Sequence, residues 1–171
     1  QSDRVGLVVF AAKAYTQAPL TLDYGFVQRM LEEVQIGVIQ DGTAIGTALA
    51  MAVNRLKNTE AESKVVIVLT DGQNNRGEID PVTAAEVATT MGVRVYSIGV
   101  GSTGDAPYVV DRPFAGQQRQ SMPVQIDEEM LRTVAQTTGG RYFRATSKEA
   151  LREIYDEIGA METSEIDERV Y

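Results

Sequence analysis

The sequence predicts an α/β domain: a mostly parallel central sheet with helices on both faces and one short antiparallel edge strand. Three observations carry this. The runs 64–69 (KVVIVL) and 93–100 (VRVYSIGV) are continuous, β-branched and of strand length, the pattern of parallel strands buried on both faces. Segments of helical period alternate with them, which is the βαβ rhythm. The 64–69 run ends in Thr70-Asp71-Gly72, so a buried strand delivers a carboxylate to its C-terminal edge, and that edge is where open α/β sheets bind ligands.

Along the chain, residues 5–11 (VGLVVFA) read as a buried strand, and 15–19 as a short edge strand limited by Pro19. Asp23 is placed to cap a helix whose apolar set is Phe26, Val27, Met30, Leu31 and Val34, closed by Gly37. The most regular helix comes after Asp41-Gly42-Thr43. Its stripe is Ala44, Ile45, Ala48, Leu49, Ala52, Val53 and Leu56, small enough for close approach to a sheet. Asp80-Pro81 is an N-cap followed by proline in the first turn of a helix over 82–91, which Gly92 ends. Asp127 caps a helix carrying Met130, Leu131, Val134 and Ala135, ended by Gly139-Gly140. A short strand covers 141–145. Ser147 caps the last helix, with Leu151, Ile154, Tyr155 and Ile158 inward. The reading places the domain at 1–161 and an acidic tail or linker at 162–171.

One segment breaks the rhythm. Residues 102–126 join a strand to a helix over a far longer path than the roughly 2–6 residues usual there. The segment holds Pro107, Tyr108, Pro113, Phe114 and Pro123, which suits an extruded hairpin, either a contact surface for a partner or a plain surface excursion.

Composition excludes several classes of function. At 171 residues and 43% hydrophobic the chain is one domain with ample core. A net charge of −8 without a basic block argues against a nucleic-acid surface. There is no histidine and no cysteine. Ser-His-Asp hydrolysis, thiolate chemistry and imidazole-based zinc sites are therefore unavailable. The apolar stretches are of strand length, so this segment does not itself insert into a membrane.

Thr43 and Asp71 are the candidate ligand-bearing residues, since a hydroxyl and a carboxylate converging on one edge suit a hard cation such as Mg²⁺. Each also has an ordinary explanation. Thr43 or Asp41 can serve as a helix N-cap, and Asp71-Gly72 as a turn pair. Gly99 to Gly104 matches G-x-G-x-x-G, yet Asp105-Ala106-Pro107 comes next instead of a helix, so the dinucleotide reading fails. A phospho-acceptor receiver domain fails as well, because no acidic pair follows the first strand and no lysine follows 93–100.

Across nearly the whole chain these residues resemble a von Willebrand factor A (VWA) domain, and more narrowly the membrane-anchored bacterial VWA proteins of the Bat aerotolerance type. The resemblance rests on DRVGLVVFA at 3–11, TQAPLTLDY at 16–24, DGTAIGTALAMAVNRLK at 41–57, VVIVLTDGQNNRGEIDP at 65–81, VYSIGVG at 95–101 and TGGRYFRAT at 138–146. It implies a Rossmann-like fold and a metal-ion-dependent adhesion site (MIDAS). That site is made by a D-x-S-x-S loop after the first strand, a threonine (Thr43 here) and an aspartate after the central strand (Asp71 here). Gly42, Gly72, Asn74 and Asn75 would then border the ion where a partner touches; Tyr108 and Phe114 of the 102–126 excursion are the candidates for a second contact surface, should that excursion be one.

The D-x-S-x-S loop and its strand have no counterpart in this chain. The expectation is an N-terminally incomplete domain with a gap between 5–11 and 64–69, its cation site weak or empty unless another segment fills that gap. In the intact parent the resemblance implies Mg²⁺ or Mn²⁺, a carboxylate from a partner protein, other Bat-type proteins and a MoxR-type ATPase system. It also implies a parent anchored in the bacterial inner membrane with this domain on the periplasmic side. The function expected is non-catalytic binding. The alternatives are a metal-independent scaffold using 102–126, or a metal-dependent hydrolase.

Overall fold

A computed structural model describes residues 3–35, 41–101, 105–112, 116–123 and 126–170, with the backbone path alone for 105–112, 116–123 and 165–170. Its centre is a three-stranded parallel sheet of β3 (Val65–Thr70), β4 (Arg94–Val100) and β7 (Tyr142–Ala145), in the order β3-β4-β7. The register runs from Val65 opposite Arg94 to Thr70 opposite Gly99, and from Ser97 opposite Tyr142 to Val100 opposite Ala145.

Side chains alternate across this sheet with period two, as the pleat requires. Val66, Val68, Val95 and Tyr142 face a core with α2 (Ile45–Leu56), α3 (Pro81–Thr90) and α4 (Glu128–Thr137). Tyr96, Ile98, Phe143 and Ala145 face the other way, against Ile154 and Ile158 of α5 (Lys148–Val170). The helices thus cover both faces, as the sequence predicts. The caps also stand where expected. The Asp80 carboxylate accepts from Val82 N and Thr83 N, each at 3.0 Å, Asp127 accepts from Met130 N at 3.0 Å, and Ser147 Oγ accepts from Ala150 N at 3.0 Å.

The N-terminal region departs from expectation. β1 (Val5–Phe10) and β2 (Ala14–Thr21) form an antiparallel pair, with Pro19 tolerated on the edge strand. Among the described residues neither pairs with the parallel sheet. β1, read as buried, is only exposed or half-buried along its length. α1 (Tyr24–Glu32) is capped by Asp23 as predicted, yet none of its residues is buried. The cause is shared: among the described residues β1 and β3 each lack a strand neighbour on their facing edges, so the surface α1 would cover is open. Gly37, expected to end that helix, lies outside the described residues.

Two readings of the last helix also change. Tyr155, expected inward, is 44% exposed. Helix α5 continues through position 162, where the tail was placed. The Glu162 carboxylate there accepts from Arg94 Nη1 at 2.6 Å, Tyr96 Oη at 2.6 Å and Ser63 Oγ at 2.7 Å.

The 102–126 segment contains a hairpin. β5 (Asp105–Arg112) pairs antiparallel with β6 (Gly116–Pro123), from Asp105 opposite Pro123 to Arg112 opposite Gly116. The element after β4 is therefore a strand, which disposes of the dinucleotide motif at Gly99 to Gly104.

Candidate functional site

Thr43 sits in the turn that leads into α2. The N-cap is Ala44, and no side chain of the turn caps the helix, so neither Thr43 nor Asp41 is the cap. The work is done from across the sheet edge by the loop after β3. Asn74 Oδ1 accepts from Ile45 N at 2.8 Å, and Asn75 Oδ1 accepts from Thr43 N at 2.9 Å. Asn75 N and Arg76 N both donate to Thr43 O, at 3.1 and 3.2 Å, while Ala44 N donates to Ala11 O at 2.8 Å. Two helix-terminal N–H groups that would otherwise lack partners are satisfied this way, and the Thr43 hydroxyl is not consumed in capping.

Asp71 follows β3 directly and is exposed. A Cβ placed on Gly72 would lie 2.9 Å from Thr43 Oγ1. The hydroxyl therefore lies against the Asp71-Gly72 turn, in space that only glycine leaves open. Gly42 is needed for a second reason. Its φ is 145°, and a Cβ there would come within 2.4 Å of Arg76 Cγ.

Thr43 and Asp71 both line a cleft of about 320 Å³ between β1 and β3. Its apolar walls come from Val8 and Phe10 of β1, Leu31 of α1, and Leu69 of β3. The sequence-predicted pair is thus brought together, and Gly42, Gly72, Asn74 and Asn75 all belong to the two loops that hold it.

Chemically the pair offers two hard oxygens, one of them anionic, and no soft donor. Such a set fits a hard divalent cation as two of its six or so ligands. Among the described residues no group of three or more acidic side chains converges to complete a metal site. The candidate contacts at 102–126 separate: Tyr108 lies on β5 in register with Gln120, its side chain outside the described residues, and Phe114 lies outside them altogether.

Sequence reasoning listed Asn74 and Asn75 as neighbours of a ligand and missed their structural role. The available signal was a pair of asparagines placed just after a strand that ends beside a helix lacking a cap of its own. The Glu162 cluster was missed because it joins positions far apart in the chain.

Comparison with known proteins places the chain among relatives. The sequence model of the von Willebrand factor type A domain matches residues 1–157. In structure the chain is similar to the conserved hypothetical protein BatB from Bacteroides thetaiotaomicron, with 33% identity and a TM-score of 0.76, over 95% of this chain and 81% of that one. It is similar to an aerotolerance-related membrane protein from Bacteroides fragilis, with 30% identity and a TM-score of 0.74, over 94% and 81% of the two chains. It also resembles proximal thread matrix protein 1 from the mussel byssus, in a structure with a zinc-occupied MIDAS motif, at 26% identity and a TM-score of 0.66, over 91% and 33%. An uncharacterized protein of Borreliella burgdorferi is 31% identical over 143 residues, which is 84% of this chain but 42% of the relative. The chain thus spans about half the length of the curated relatives it matches, a UPF0353 protein of Nocardia farcinica (50%) included.

Proposed function

The chain belongs to the von Willebrand factor type A domain family, and from that premise we propose that it binds a partner protein through a divalent cation held at Thr43 and Asp71. The observation that carries this reading is the placement of Thr43 Oγ1 against Gly72, beside Asp71, with Ile45 N capped by Asn74 and Thr43 N held by Asn75 instead. A threonine hydroxyl left free of capping next to the turn that carries Asp71 supports the reading of the two as ligands.

Thr43 and Asp71 would hold Mg²⁺ or Mn²⁺ directly or through water. An extended segment seated in the cleft between β1 and β3 would bring the remaining oxygens, as the D-x-S-x-S loop does in the family. A carboxylate from the partner would complete the coordination, and Gly42, Gly72, Asn74 and Asn75 would form the rim it touches. When bound, the ion supplies Lewis-acid attraction for that carboxylate. The chain's own residues hold the Thr43 turn in place through Asn74 and Asn75. Without the extended segment the site is weak or empty.

The function is binding rather than catalysis, in keeping with a site that has no imidazole or thiol to move protons or attack. Similarity to an aerotolerance-related membrane protein supports a membrane-anchored parent; the anchor we propose is the bacterial inner membrane, with this domain on the periplasmic side. Other Bat-type proteins and a MoxR-type ATPase are its proposed company. No helix among the described residues is long and apolar enough to cross a membrane.

The test is calorimetric titration of Mn²⁺ and Mg²⁺ into the full-length protein, with D71A and T43A alongside. Binding weakened tenfold or more by D71A is expected, with a smaller loss in T43A. Equal affinity in wild type and D71A would sink the proposal.

A further inference from the structure

Three loops meet at Gly42. A Cβ built there would lie 2.4 Å from Arg76 Cγ and 3.3 Å from both Cα and Cβ of Ala12. The stem of Arg76 is thus seated on Gly42, next to Thr43 in the chain, and Arg76 N donates to Thr43 O at 3.2 Å. Ala12 belongs to the tight turn between β1 and β2, in which Ala11 N donates to Lys13 O at 2.9 Å. Two cationic residues from separate loops, Arg76 and Lys13, therefore stand beside the candidate cation site, and both are exposed.

Neither side chain is engaged. Among the described residues the ion pairs are made by Arg94, Arg132, Arg141 and Arg144, and no side-chain bond is made by Arg76 or Lys13. Yet Asp and Glu outnumber Lys and Arg in this chain by 24 to 16. Arg76 combines two properties that suit docking. Packing on Gly42 fixes its stem, which lowers the ordering cost of binding. Its planar guanidinium is open, and that fork matches a carboxylate with two parallel bonds. The acidic residues of the same loops are Asp41, Asp71 and Glu78, all exposed; the Asp80 carboxylate is taken by the N–H groups of α3. Three acids thus outweigh two cations, and a divalent ion at Thr43 and Asp71 would reverse the balance.

We propose that the partner meets this edge with an acidic segment, one carboxylate on the ion and its neighbours on Arg76 and Lys13. The ion then sets the sign of the surface as well as ligating, because the bare edge repels an acidic chain. The proposal rests on the cation reading above and names the class of partner that site takes.

The experiment uses the full-length protein and three labelled probes: hexaglutamate, a glycine-serine peptide with a single glutamate, and hexalysine. Fluorescence anisotropy at saturating Mn²⁺ and in EDTA compares wild type, R76A, R76E, R76K and K13E, with Mn²⁺ affinity taken by calorimetry on the same samples. With Mn²⁺, wild type should hold hexaglutamate more tightly than the single-glutamate probe and should not hold hexalysine. R76A should weaken hexaglutamate about threefold, as for an exposed ion pair. R76E and K13E should weaken it about tenfold, as like charges do, and R76K, which keeps the charge and loses the fork, should fall between R76A and wild type. Equal affinity of wild type and R76E for hexaglutamate, with Mn²⁺ bound to both, overturns this proposal and leaves the cation reading standing. So does equal affinity of wild type for hexaglutamate and the single-glutamate probe. Lack of Mn²⁺ binding in wild type removes the cation reading; hexaglutamate held through Arg76 in EDTA would then keep the acidic partner, and its loss would end both.

Discussion

The two edges of β3 have the same sequence to offer and very different surroundings. Toward β4 the strand is paired from Val65 to Thr70, and the neighbouring Val95, Tyr96, Ser97 and Ile98 are fully buried. Toward β1 there is no pairing among the described residues, the cleft opens, and Leu69 is 40% exposed. A β-branched run specifies a strand; how deeply that strand is buried is decided by the neighbours it finds. The candidate site lies where the closed side meets the open one, with Asp71 just past the paired strand and Thr43 lining the same cleft.

The comparison is sharpest when matched residues are cut on either side. Leu131 on α4 is 0% exposed and Leu31 on α1 is 56% exposed. Leu131→Ala should cost about 2–5 kcal/mol through lost burial and a cavity. Leu31→Ala should stay within about 0.5 kcal/mol, as exposed substitutions do. Urea unfolding of the two variants reads the difference, and equal costs would mean that the open side is packed.

Next in size is the bolt at the rear of the closed side. Glu162→Gln keeps the shape and removes the charge facing Arg94, Tyr96 and Ser63. A loss of about 1–3 kcal/mol is expected for hydrogen bonds to a charged group. Burial pushes the Glu162 carboxyl upward, but hydrogen bonds from Tyr96, Ser63 and Arg94 and the Arg94 charge together hold it below its usual range of 4.5. A depressed carboxyl stabilises the fold above its unfolded value and loses that contribution as pH falls through the folded one. Wild type should therefore lose stability below about pH 4.5 more steeply than the Gln variant, and chemical denaturation across that range would show parallel curves if the bolt is idle.

The same cluster gives an alkaline counterpart. Burial and the Glu162 carboxylate raise the Tyr96 hydroxyl from 10.0 to about 12. A raised group stabilises fully below its unfolded value and ceases to do so as pH climbs through the folded one, so stability should decline between pH 10 and about 12. Tyr96→Phe should remove that decline, measured as melting temperature against pH; a slope that survives the substitution points to another group.

The smallest effect tests the tie across the boundary. Asn74→Ala deprives Ile45 N of its partner and should cost about 1 kcal/mol, as lost caps do. In the full-length protein it should also weaken Mn²⁺ binding, because the Thr43 turn loses a tether. A stability loss without any change in cation affinity would separate the cap from the site.

Much of this was legible because it is local or periodic. The caps at Asp23, Asp80, Asp127 and Ser147, the stripe of α2 and the two buried runs of the parallel sheet declare themselves within a few residues. Thr43 and Asp71 were legible as a pair through the strand edge and the motif that carries them. The exposure of β1 and α1 was not legible, since their residues are apolar at the right spacing and it is the absence of a strand neighbour among the described residues that leaves them bare. Nor was the capping of Ile45 N by Asn74, with Asn75 holding Thr43 N beside it, which spans about thirty residues of chain and replaces a cap that Thr43 had the right chemistry to supply. Glu162 read as one acid among many in a charged segment, and its partners at Ser63, Arg94 and Tyr96 emerge only from the packing of α5.

The open edge has a consequence for how the isolated segment behaves in bulk. Two facing strand edges that have no partner among the described residues, with apolar side chains beside them, invite pairing with a second copy. What opposes that is a net charge of −8, a long-range repulsion between copies. Added salt shortens that repulsion to about 8 Å at physiological strength and leaves the apolar attraction untouched. The segment is therefore expected to be monomeric in dilute buffer and to associate as ionic strength rises, the reverse of an assembly held by ion pairs.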